Sequence, residues 1–256
     1  MTSLRDFATK LYQDWDYRHG LYGKPDPFFT RPFTRIADRK RWGPLGECVW
    51  QSRRVAGWAR EHEAVALAQA SFGLPENAVI VELGSFLGCS AVLLAGARKA
   101  RGSGRVHCID PFDASGDAFS VPIYREIQGS GSRSLRARFE RNLERAGVRD
   151  WVEVHPVRAE QAVETWSAPI DLLFFDGHQS YDVVMATYDA WSPFLKPGST
   201  LAIHNSRPGY RRETHDGSAR LVEELVRPPR YDSVELVKSI TFARKAAREP
   251  GEEVGA

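Results

Sequence analysis

The chain has 256 residues, 42% of them hydrophobic and 27% charged, the makeup of an ordinary soluble globular protein, which excludes disordered and fibrous classes. Lys and Arg total 35 against 33 Asp and Glu, so the formal net charge of +2 is too small for a dedicated nucleic-acid binder and points to small-molecule chemistry with no nucleic-acid partner. Cys48, Cys89 and Cys108 lack metal-type spacing and predict reduced thiols. The start carries Arg5, Asp6 and Lys10 where a leader needs an apolar run, and no hydrophobic stretch is long enough to span a bilayer, so a cytoplasmic protein with no membrane partner is expected.

Residues 1–60 carry Trp15, Tyr17, Tyr22, Phe28, Phe29, Phe33, Trp42 and Trp50, interrupted by Pro25, Pro27, Pro32 and Pro44. Aromatics at this density need burial against the main domain, a second subunit or a substrate. The segment is read as an N-terminal cap that covers the substrate site and contributes to a homodimer. Over 61–71 the spacing of Ala64, Leu67 and Ala68 predicts a helix closed by Gly73 and Pro75. The period then changes. Residues 79–83 (VIVEL) are a continuous apolar run with one acid, which fits a strand buried on both faces. GSFLGCS turns into a helix at AVLLAGARKA, and further strands are expected at 105–110, 151–157, 170–176 and 199–205. Helices are expected near 132–147 and 181–195, the second stopped by Lys196-Pro197-Gly198. Strands alternating with helices predict a doubly wound α/β sheet. Two last strands, 231–237 and 239–244, are too close for a helical crossover and should pair as a hairpin at one edge. Residues 61–246 thus form the main domain, and 247–256 a frayed tail.

In such sheets ligands bind outside the carboxyl ends of the strands. The first strand delivers Glu82-Leu83-Gly84-Ser85-Phe86-Leu87-Gly88, in which Gly84 and Gly88 let the backbone turn sharply and approach a ligand. This E-x-G-x-x-x-G lacks the pyrophosphate cradle of dinucleotide binders, which disfavours a nicotinamide oxidoreductase and suggests an adenosine-like ligand without phosphates. Asp110 ends the second strand, where a carboxylate accepts from two ribose hydroxyls, and Glu82 should face the same pocket.

On these residues the sequence resembles the class I S-adenosylmethionine-dependent methyltransferases from about Glu63 to Arg244: VELGSFLGCSAVLLA looks like their first motif, VHCIDPFD their second, IDLLFFDGHQSYD the fourth-strand motif and LKPGSTLAIHNS the fifth. The resemblance implies a Rossmann-like methyltransferase fold, a seven-stranded mostly parallel sheet with the last strand antiparallel. It also implies S-adenosylmethionine binding by Glu82, Gly84, Ser85, Gly88, Ser90, Asp110 and Asp176, with Arg158 and Glu160 in the turn after the third strand placed to contact the adenine. The wording D-G-x-x-x-Y, L-K-P-G and H-N is similar to a branch acting on hydroxyls of small natural products and antibiotic sugars, kin to metal-dependent catechol-type enzymes.

Asp176 ends the fourth strand, His178 follows, and His204 with Asn205 ends the fifth, so all four should project over one edge of the cofactor pocket. In the metal-dependent relatives the corresponding positions bind a divalent ion through carboxylates and an Asp or Asn, which implies Asp176, His204 and Asn205 as metal ligands here. A histidine where the relatives carry an acid weakens the site for Mg²⁺ and favours a borderline metal. A metal-free site with His178 or His204 as general base is the other option. O-methylation is the first expectation and N-methylation of an aminosugar the second. A non-catalytic cofactor-binding or assembly protein is the contrasting class, disfavoured by titratable groups at two adjacent strand ends. The loops at 111–131 and 206–218 bring Asp113, Asp117, Tyr124, Tyr210, Arg211, His215 and Asp216 toward the same mouth, whereas the arginines of 133–145 interleave with Glu140 and Glu144 and read as a solvated face.

Overall fold

The computed structural model describes residues 31–129 and 134–247. Seven strands form one sheet: β1 (Val79–Leu83), β2 (Arg105–Ile109), β3 (Val152–His155), β4 (Ile170–Phe175), β5 (Leu195–Ile203), β6 (Tyr231–Val237) and β7 (Ile240–Lys245), in the order β3-β2-β1-β4-β5-β7-β6. The first five are parallel, and β7 runs antiparallel to both β5 and β6. This is the expected doubly wound sheet. The hairpin also forms as expected, with β7 inserted beside β5 and β6 left at the edge.

The apolar strands are continuous because both faces are covered. Ile80, Leu172 and Phe174 point into a core with α3 (Glu61–Phe72), α4 (Cys89–Arg101) and α6 (Leu135–Ala146). Val81, Leu83, Leu173 and Phe175 point into a second core with α7 (Ala159–Ala162), α8 (Tyr181–Trp191) and α9 (Gly217–Leu225). Each fully buried Leu or Phe contributes about 1.5–3 kcal/mol. Glu82 falls on the first face by the same alternation, and it is completely buried.

Several boundaries differ from the sequence reading. The helix before β5 ends at Trp191, because Ser192-Pro193 begins a single 3₁₀ turn; Lys196-Pro197-Gly198 is therefore not the helix stop but the irregular start of β5, with a bulge opposite Ile170–Leu172. β3 is shorter than expected, since a 3₁₀ turn precedes it and Val157 folds back to donate to the His155 carbonyl. The connection at 111–131 contains a helix, α5 (Val121–Gly129).

Of the expected cap, Trp15, Tyr17, Tyr22, Phe28 and Phe29 lie outside the described residues, as does 248–256 of the expected tail. Residues beyond 30 form α1 (Arg31–Trp42) and α2 (Gly46–Ser52), joined by the Arg53–Asp38 pair at 2.8 Å. Trp50 is buried between the Arg35 and Arg54 guanidiniums, whereas Phe33 stands exposed, against the expectation of buried aromatics. Leu45, Cys48, Val49 and Val55 belong to the same core as β1, so the expected division near residue 60 runs through continuous packing. No helix among the described residues is long and apolar enough to cross a membrane.

Candidate active site

Parallel pairing carries one residue past the end of each strand and so aligns the residues that matter. Gly84 N donates to Ile109 O at 2.9 Å, Asp110 N to His155 O at 3.2 Å, Asp176 N to Leu83 O at 2.9 Å and His204 N to Phe175 O at 3.0 Å. Gly84, Asp110, Asp176 and His204 thus stand side by side at the carboxyl edge, where a cavity of about 640 Å³ opens. That volume lies within the about 300–1,000 Å³ usual for small-molecule sites. Ser85, Ser90, Arg158, Glu160, His178 and Asn205 line it as well.

Two expected cofactor residues do not face the cavity. Glu82 lies beneath the turn, accepting from Ser85 Oγ at 2.6 Å and Cys108 Sγ at 3.1 Å, and its other oxygen is buried without a partner. Burial lifts its carboxyl to about 7, with the Ser85, Ser90 and Cys108 side chains pulling the other way. Gly88 is the left-handed residue before α4, at φ 89°, and a Cβ there would press on the Phe139 ring at 3.0 Å. Both residues shape the turn from below. Gly84, at φ 86°, is required by the neighbouring strand, because a Cβ would fall 2.4 Å from the Asp176 carbonyl oxygen.

Asp110 organises the rim. Its Oδ2 accepts from the backbone N–H groups of Ser85 (2.9 Å) and Phe86 (2.8 Å), and its Oδ1 from that of Phe112 (2.6 Å). Burial raises its pKa despite these three donors. Oδ1 keeps a free lone pair, an acceptor for a ligand hydroxyl in the cavity. Arg158 donates to Asp113 at 2.9 Å across the opening, and Glu160 is exposed beside it.

His204 Nδ1 and Asp176 Oδ1 meet at 2.7 Å, with His204 buried and Asp176 partly open to the cavity. Burial alone would push the His204 imidazole down, but the charge and hydrogen bond of Asp176, with Glu63 behind, lift it to about 9. Glu63 is itself held by the Ser239 N–H (2.8 Å) and hydroxyl (2.6 Å). At neutral pH the His204 ring is therefore held as the imidazolium against Asp176. His178 differs: its Nδ1 accepts from the Ser180 N–H at 3.2 Å, which places the proton of the neutral ring on Nε2 and leaves no free basic nitrogen. Burial lowers its pKa.

The three expected metal ligands do not fit a divalent cation. The imidazole nitrogen nearest Asp176 is taken by that carboxylate, so what remains beside it is one carboxylate and the Asn205 amide.

Two features of the mouth escaped the sequence reading. Trp58, Phe86 and Tyr124 form an aromatic wall, with ring centroids 4.9–6.0 Å apart. Asp117 and His215, expected separately at the mouth, form a buried pair. Tyr210 also lines the cavity, whereas Asp113 and Arg211 are engaged at the surface with Arg158 and Glu223, and Asp216 precedes α9.

Residues 81–206 match the family model described as a methyltransferase domain. Three solved structures share the fold. Cofactor-bound Rv0187 from MTB has 18% identity, with 84% of this chain and 95% of that one covered, at a TM-score of 0.55. The O-methyltransferase TomG from Streptomyces achromogenes, involved in tomaymycin synthesis and solved with SAM, has 19% identity, with 81% and 98% covered, at 0.52. The O-methyltransferase NovP has 15% identity, with 77% and 86% covered, at 0.56.

Proposed function

We propose that the chain is a class I S-adenosylmethionine-dependent methyltransferase, residues 81–206 matching a methyltransferase-domain model, and that it methylates a hydroxyl group of a small natural product without a metal ion. The observation that carries this reading is the Asp176–His204 couple at the ends of adjacent strands, opening on the same cavity as Asp110. The site fits the cofactor: Asp110 keeps an acceptor for a ribose hydroxyl, and the Gly84 turn has no pyrophosphate cradle. Bound there, S-adenosylmethionine supplies a methyl group on a positively charged sulfur.

The chain's own residues then have two tasks. The walls hold the acceptor oxygen in line with the methyl group, which removes most of the entropic cost of a bimolecular encounter. The Asp176–His204 couple, in its singly negative form, takes the hydroxyl proton as the oxygen–carbon bond forms and the carbon–sulfur bond breaks. Trp58, Phe86 and Tyr124 offer a flat apolar surface for a ring of the acceptor, and TomG, which shares the fold, is an O-methyltransferase involved in tomaymycin synthesis. Incubation with S-adenosylmethionine and a panel of phenols, sugars and aminosugars, read by mass spectrometry, tests the reading. Methyl ethers support it; methylation confined to amines overturns it.

The homodimer belongs to the same proposal. Phe33 and Ile36, three residues apart on α1, are 76% and 69% exposed and form a surface that a second copy would cover. Light scattering of the Phe33→Asp, Ile36→Asp double variant should give a monomer.

A further inference from the structure

Outside the cavity, three side chains with metal-binding chemistry converge on one face of the outer strands. His107 on β2 is the direct cross-strand neighbour of Glu153 on β3, and His155 follows two residues later on the same face. His107 Nδ1 and His155 Nε2 lie 3.1 Å apart, and the Glu153 oxygens approach them at 3.6 and 3.8 Å. The ligand atoms all lie within 4.8 Å of one another. Two nitrogens bound to one Zn²⁺ at about 2.05 Å with tetrahedral angles are about 3.3 Å apart, so this pair already has nearly the required separation.

We propose that His107, Glu153 and His155 form a binding site for a borderline divalent cation such as Zn²⁺, separate from the Asp176 region. Each neutral imidazole can carry its proton on the nitrogen facing away, which turns both lone pairs toward the ion. The Glu153 carboxylate supplies negative charge, and imidazole ligands favour Zn²⁺ over Mg²⁺. Glu153 is 51% exposed, so a fourth position is left to water. Trp166 packs edge-on against His107, with ring centroids 4.9 Å apart, and closes the inner side. β3 is an edge strand, paired only to β2, so an ion here ties it down close to where Asp110 and Arg158 reach the cavity.

Calorimetric titration of the chelator-treated full chain with Zn²⁺ alone tests this. The expected result is one ion bound per chain and a rise in Tm of several degrees at saturation. Affinity should fall at least tenfold in His107→Gln and in His155→Gln, and remain at the wild-type level in Asp176→Asn. The exposed Glu153→Gln, which disturbs no packing, should weaken binding and keeps the test valid if a histidine variant fails to fold. As a second readout, Cu²⁺ should quench Trp166 fluorescence, and the part of the quenching lost in Trp166→Phe reports this site. Absence of saturable Zn²⁺ binding, or binding unchanged in both His155→Gln and Glu153→Gln, would leave only a hydrogen-bonded histidine pair and overturn the proposal.

Discussion

Asp117 and His215 form a buried hydrogen-bonded pair at 3.1 Å although 98 residues separate them in the chain. The pair joins the loop after β2 to the loop after β5 across the mouth of the cavity. The Phe119 ring packs on His215 at 4.7 Å, and the Arg212 guanidinium covers Phe119 at 4.2 Å. Two segments that decide what enters the site are thus held as one wall.

Removing one member of such a pair leaves the other buried without compensation. Asp117→Ala should cost on the order of 2 kcal/mol of stability. The Asp117 carboxyl is pushed up by burial, but the His215 and Ser120 interactions outweigh this and hold it below the ordinary carboxylate value. For a lowered acid, the stabilisation is fully present above the ordinary value and is lost as pH falls through the lowered one. Urea melts of the wild type and Asp117→Ala should therefore converge in acid; a constant difference would refute the pairing as the source.

The cofactor site gives a second expectation. Asp110→Ala removes an acceptor for the ribose and also frees the N–H groups of Ser85, Phe86 and Phe112. Affinity for S-adenosylmethionine should drop roughly ten- to hundredfold, with a stability loss on the order of 2 kcal/mol. Calorimetry on the folded variant checks it, and wild-type affinity would remove Asp110 from the binding set.

Glu82 offers a third, opposite in sign to Asp117. Its carboxyl stands at about 7 in the fold against an ordinary 4.5. Between those values the unfolded chain has released a proton that the folded chain still holds, so stability falls as pH rises through this window, by up to about 3 kcal/mol. Glu82→Gln should flatten the profile there. Denaturation midpoints measured across the window are the check, and an unchanged slope in the variant would place the titration elsewhere.

The strands were legible because β1 and β4 are buried on both faces and leave apolar runs, and Gly84, Asp110, Asp176 and His204 because each follows directly on the buried end of a strand. Roles that depend on packing were not legible. Glu82 looks like a ligand in the string EL-G-S, and only the sheet's alternation sends it inward. Arg98 reads as an exposed residue in the last turn of α4, yet it is fully buried, donating to the carbonyls of Ser71 (2.8 Å), Pro75 (2.8 Å) and Ser103 (2.7 Å). The Asp117–His215 pair leaves no local signal at all, since each partner sits alone in a polar loop. The imidazolium state of His204 likewise comes from its seat against Asp176, not from its neighbours in sequence.

That state yields the prediction most directly tied to the chemistry. The proton on His204 is held to about pH 9, so at neutral pH only a small fraction of the couple is in the singly negative form that accepts the substrate proton. kcat/KM should rise about tenfold per pH unit from neutrality and level near pH 9. The same proton stabilises the fold: for a raised imidazole the contribution is complete below its ordinary 6.5 and lost as pH rises through about 9, so rate climbs where stability declines. His204→Ala and Asp176→Asn should each lower kcat about 10²–10⁴-fold while leaving cofactor affinity within a few fold. Chelator should leave turnover unchanged at every pH, because the carboxylate and amide left beside the imidazolium do not make a cation site. Chelator-sensitive turnover restored by Mg²⁺ would return the chemistry to a metal, and a flat pH profile with wild-type rates in both variants would remove the couple from the reaction.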